Sequence, residues 1–125
     1  MINNISIKGL HEEVINFCLK QVAIHENFSP IAKDKLIEQI NSADVSIEST
    51  PYYCIIKFYY NGYSSPSFNQ NILIQVIPET VDRPVPKLFL FHLCDNILYE
   101  FEYFVADSSK ICEKNLLVGK VLFDV

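Results

Sequence analysis

The sequence predicts an α+β fold, with two N-terminal helices packed on one face of a mainly antiparallel sheet of five or six strands. Three observations carry this. Apolar residues recur at helical spacing up to Ser42. From Asp44 the period becomes two. The segment Lys87–Asp107 then reads as two long aromatic strands folded back at Cys94-Asp95-Asn96. A length of 125 residues with an apolar fraction of 50% suits a single domain, residues 1–125, around one core.

The first helix is expected from Leu10 to about Ile24. Leu10, Val14, Phe17, Cys18 and Val22 fall on one side, and Glu12, Glu13, Asn16, Lys20 and Gln21 on the other. Glu12 and Glu13 occupy the first turn, where negative charge suits the helix dipole. The second helix has a start signal in Ser29 as N-cap and Pro30 at the first helical position. Ile31, Leu36, Ile37 and Ile40 form its apolar stripe, and Asn41-Ser42 ends it.

Val45 and Ile47 alternate with Ser46 and Glu48, the pattern of a half-exposed strand. Tyr52–Tyr60 is a nearly continuous apolar and aromatic run, which predicts a central strand covered on both faces. Asn61-Gly62 stops it, and Ser64-Ser65-Pro66-Ser67 predicts a loop rather than a tight hairpin. Ile72–Ile77 is the third strand. The run from Pro78 to Pro86 holds three prolines, which keep it extended and outside the sheet interior. Lys87–Leu93 and Ile97–Val105 form the hairpin. Leu116–Val125 contains one more strand, with Gly119 as a bulge or close-approach point.

Composition narrows the function classes. The formal charge is −5, and Arg83 is the only arginine. A nucleic-acid binder needs clustered cations to displace counterions from phosphates, so none is expected. No apolar window approaches the roughly 18 residues of a membrane span. The opening Met1–Lys8 lacks a basic region followed by an apolar run, so the expected location is cytoplasmic. Four cysteines without CxxC spacing read as reduced, mostly buried thiols.

No catalytic, cofactor or metal site is expected. The chain has no GxGxxG, P-loop or GxSxG motif. His92 and Cys94 are i,i+2 on a strand and could share a metal, but zinc takes three or four protein ligands. His11 and His25 flank the first helix and are expected at the surface. A cysteine paired with a distant histidine stays open on spacing alone.

The hairpin carries the leading site. A two- or four-residue turn at Asp95-Asn96 sets Leu88, Leu90 and His92 on one face with Tyr99, Phe101 and Tyr103. Phe89, Phe91, Leu93, Leu98, Glu100, Glu102 and Phe104 then take the other face, and a one-residue register change swaps the partners. In either register Glu100 and Glu102 share a face with large apolar side chains. Burying two unpaired carboxylates would cost several kcal/mol each, on the order of magnitude usual for such groups. One face is therefore expected to be wet, with either a docked partner or a cross-strand lysine, Lys57 or Lys87, beside the glutamates.

Phe89-Leu90-Phe91-His92-Leu93-Cys94-Asp95-Asn96-Ile97-Leu98-Tyr99-Glu100-Phe101-Glu102-Tyr103-Phe104, followed by Ala106-Asp107-Ser108-Ser109, resembles a C-terminal hairpin of small bacterial proteins from toxin–immunity loci, of the contact-dependent inhibition or polymorphic toxin type. In those an apolar strand meets a D-G-x-L turn, a strand with L-E-I/F follows, then a D-G/S-S element. Here Asn96 stands where glycine is usual, and asparagine tolerates positive φ. Phe101-Glu102-Tyr103 replaces L-E-I/F.

The resemblance implies a non-enzymatic, stoichiometric inhibitor that occludes a cationic toxin domain, and it carries no catalytic residue. The expected contacts are Glu100 and Glu102, with Tyr99 and Tyr103 or Phe89 and Phe91 beside them according to register. Glu79 and Asp82 in the proline-rich loop are a second candidate. The competing readings are a self-associating structural protein, and an enzyme or ligand carrier with a pocket between helices and sheet.

Overall fold

The computed structural model describes residues 2–25, 32–61, 71–79, 82–94 and 97–124. Helix α1 spans Leu10–Ile24 and α2 spans Ala32–Ser42. Strands follow at Asp44–Ser49 (β1), Tyr53–Tyr59 (β2), Ile72–Ile77 (β3), Lys87–Cys94 (β4), Ile97–Val105 (β5) and Lys120–Asp124 (β6), with a short 3-10 turn at Glu113–Asn115. The architecture is α+β, as the sequence predicts. The cap at Ser29-Pro30, Ile31, the loop after Asn61 and the turn at Asp95-Asn96 lie outside the described residues.

The sheet order is β1-β2-β5-β4-β3-β6, and every pairing is antiparallel. The hairpin β4–β5 therefore lies at its centre. Val14, Ile15, Cys18, Leu19 and Val22 of α1, with Ala32, Leu36 and Ile40 of α2, are buried. They form one core with Cys54, Ile56, Phe58, Ile72, Ile74, Val76, Phe89, Phe91, Leu98, Phe101 and Tyr103 from a single sheet face. The Asn4 amide donates to the carbonyls of Ile40 (2.8 Å) and Ala43 (2.9 Å), which satisfies backbone acceptors at the end of α2.

Two strand expectations change. β2 is second from the edge rather than central. Its burial alternates, with Cys54, Ile56 and Phe58 buried and Lys57 and Tyr59 exposed, so only one of its faces is covered. The helices supply one layer, and the opposite face has no protein layer among the described residues. Gly119 is a close-approach point. At φ 149° it sits so near Ile77 that a Cβ would lie 2.4 Å from the Ile77 carbonyl oxygen.

The register of the hairpin, open on the sequence alone, is set by a bulge. Cys94 pairs with Ile97 and Leu93 with Leu98, but His92 pairs with Glu100 and Leu88 with Phe104. Tyr99 is the extra residue of a β-bulge. One added residue inverts the inside-outside assignment of everything beyond it. Phe89 and Phe91 thus meet Tyr103 and Phe101 in the core, while Glu100, Glu102 and Phe104 join His92, Leu90 and Leu88 on the open face. The bulged segment is tied to the helix layer by the Leu98 N–H, which donates to Gln39 Oε1 at 2.9 Å.

Candidate functional site

The open face is built from cross-strand neighbours. One row runs Ser46–Lys57–Glu100–His92, and the next runs Glu48–Ile55–Glu102–Leu90–Leu73. A third runs Tyr53–Phe104–Leu88–Gln75–Leu122. Acids, aromatics and aliphatics are interleaved on it, with Tyr59, Tyr99 and Leu122 among the exposed large side chains of the protein.

At its centre His92 Nε2 donates to Glu102 Oε1 at 2.7 Å and stands 3.8 Å from Glu100 Oε2. The three side chains are 17%, 25% and 22% exposed for His92, Glu102 and Glu100, so the group is half-sunk in the face. The bulge places Tyr99 beside the imidazole, with ring centroids 5.9 Å apart. A bulge commonly re-aims a side chain in this way. Among the described residues neither glutamate pairs with a lysine. Lys57 lies opposite Glu100 in the ladder, but it is the His92 imidazole that stands within 4 Å of both glutamates. Lys87 turns to the other face, is 8% exposed, and donates to the carbonyls of Asn115 and Val118.

Of the expected contact residues, Glu100, Glu102 and Tyr99 come together here. Phe89, Phe91 and Tyr103 do not: they are 0%, 0% and 2% exposed under the helices, because the bulge reverses the register. Glu79 and Asp82 are exposed but elsewhere. Glu79 lines a cleft of about 500 Å³ with Pro78, Val85, Lys87, Cys112 and Val118. Lys87 and His92 sit at opposite ends of β4 and point to opposite faces, so this cleft is separate from the His92 group.

The sequence reading missed His92 as the partner of the glutamates, and it also misjudged His11. His11 is partly buried, with Nδ1 2.9 Å from the Tyr103 hydroxyl and 3.4 Å from Cys54 Sγ. These groups border a pocket of about 180 Å³ that also includes Glu113. The cysteine–histidine pairing left open on spacing is therefore real. Its electrostatics oppose nucleophilic chemistry. Burial pushes the Cys54 thiol up to about 11, raises Tyr103 strongly, and lowers His11. A reactive cysteine needs the reverse, a thiolate favoured by its surroundings. Exposure of Cys94 and Cys112 likewise corrects the expectation of mostly buried thiols.

No helix among the described residues is long and apolar enough to cross a membrane. Comparison of the chain with protein-family models, with curated proteins and with solved structures returned no match.

Proposed function

We propose that this chain is a non-enzymatic binding protein, an immunity-type inhibitor that lays the open face of its sheet on a cationic region of a toxin domain and occludes it. The supporting observation is the half-buried Glu100–His92–Glu102 group in the middle of a face that mixes aromatic, aliphatic and acidic side chains. A net charge of −5 and an interface centre of this kind suit a basic partner. The acids speed encounter and set orientation, while Tyr99, Tyr59 and their apolar neighbours supply the desolvated contact. The hairpin resemblance gives the partner its class.

The test uses the C-terminal domain of the protein encoded immediately upstream. Co-purification with this chain at fixed stoichiometry, with loss of the toxin's activity, is the expected result. Glu100→Lys/Glu102→Lys should lower affinity by roughly a hundredfold or more while the circular dichroism spectrum stays native. Unchanged affinity in that variant would place the interface on another surface. A metabolic enzyme as the upstream product, with no complex formed, would sink the immunity reading.

A further inference from the structure

From the geometry of His92, Glu100 and Glu102 we infer that the open face holds a binding site for a divalent transition-metal ion, with one imidazole nitrogen and two carboxylate oxygens as its protein ligands. One ligand atom from each of the three residues lies within 4.8 Å of the others. Tetrahedral coordination at ordinary Zn–N and Zn–O bond lengths needs ligand atoms about 3.3 Å apart. His92 Nε2 already lies 2.7 Å from one glutamate oxygen and 3.8 Å from the other, either side of that spacing. The backbone positions are set by two hydrogen-bonded strands, with His92 directly opposite Glu100 and Glu102 two residues further along β5.

Electrostatics point the same way. Two carboxylates converge on one imidazole, whose Nε2 carries a single proton. Glu102 accepts it, and Glu100, at 3.8 Å, lies outside hydrogen-bonding distance of Nε2. The two carboxylates stand in a half-buried setting beside Leu90, Ile55 and Tyr99. A single divalent cation balances them. On binding, the Nε2 proton moves to Nδ1 by way of solvent, or is lost to solvent where the ring is protonated, and Nε2 becomes the ligand. Metal affinity therefore falls as the medium is acidified.

The donor set selects the metal class. One imidazole and two carboxylates suit Zn²⁺, Co²⁺, Ni²⁺ or Cu²⁺, whereas Mg²⁺ and Ca²⁺ prefer shells made wholly of oxygen. Three protein ligands leave at least one position for water or another donor. Cys94, the residue that spacing had suggested beside His92, is exposed and outside the group. The site stands on these three residues whether or not the face docks a protein.

The experiment takes the full chain, freed of metal with EDTA, and titrates it with Co²⁺ while following visible d–d absorption. Zn²⁺ is followed by calorimetry. The expected results are one equivalent bound, displacement of Co²⁺ by Zn²⁺, and a higher thermal midpoint in Zn²⁺ but not in Mg²⁺. His92→Ala and Glu102→Gln should each weaken binding at least tenfold, and the double variant Cys94→Ser/Cys112→Ser should bind as the parent does. Paramagnetic broadening of Leu90 and Tyr99 resonances by Co²⁺ in the unaltered chain locates the ion without any variant. Absence of a stoichiometric Co²⁺ spectrum overturns the site. So does binding that survives His92→Ala, or binding that is lost with the two exposed cysteines.

Discussion

At the scale of single residues, burial sorts the four cysteines into two chemical classes. Cys18 and Cys54 are buried, and burial raises both thiols, Cys54 to about 11. Cys94 and Cys112 are exposed. Iodoacetamide at neutral pH should therefore modify two cysteines in the native chain and four after unfolding, read by mass spectrometry.

The same burial makes stability depend on pH. A thiol whose native value lies above its unfolded value of 9.0 keeps its proton in the folded chain after the unfolded chain has lost it. Stability is thus full below pH 9 and declines as pH rises towards about 11. For Cys54 the loss is of order 2–3 kcal/mol, and Cys18 and Tyr103 act in the same direction. Denaturant melts at pH 8 and 10.5 should show the fall, and Cys54→Ala should reduce it. The thiol and rings of this region were legible in the sequence only as residue types. That His11, Cys54 and Tyr103 meet depends on β2 pairing with β5 and on the start of α1 lying against them.

At the scale of elements, the last strand and the hairpin rest on two backbone details. Gly119 admits β6 beside β3 because nothing larger than hydrogen fits against the Ile77 carbonyl, and its φ of 149° disfavours any L side chain. Gly119→Ala should cost roughly 1–3 kcal/mol, measured as a shift of the urea midpoint. An unchanged midpoint would mean that β6 docks in another way. The glycine was visible as a possible close approach, since it stands just before an apolar run.

The bulge at Tyr99 was not visible. Its residue is an ordinary strand former, and nothing in the alternation of β5 marks it as extra. For the same reason Phe89, Phe91 and Tyr103 could be read as surface contacts. Truncating any of these rings would test folding rather than binding, at about 3–5 kcal/mol for a buried phenylalanine.

At the scale of the whole molecule, one helix layer on a six-stranded sheet leaves a broad face open, and that face selects against a second copy of itself. Asp44, Glu48, Glu100 and Glu102 outnumber Lys57 and Lys120 on it, so two such faces brought together repel. The isolated chain should sediment as a monomer across a wide concentration range at low salt. A mass that rises sharply with concentration, with Glu100 protected from solvent in the larger species, would favour the self-associating reading instead.

The sequence by itself determined the element order, the helical and strand periods, and the presence of two glutamates in an aromatic hairpin. Those follow from local chemistry: side-chain period, caps, prolines and charge. Only the tertiary structure decided which β4 side chains share the open face with Glu100 and Glu102, that Lys87 is buried, and that His92 rather than a lysine stands between the two glutamates. The first and the last depend on a one-residue shift in pairing between strands, and the burial of Lys87 on the Asn115–Val118 segment that covers it. A shift of that size changes no local preference, yet it exchanges the two faces of the sheet.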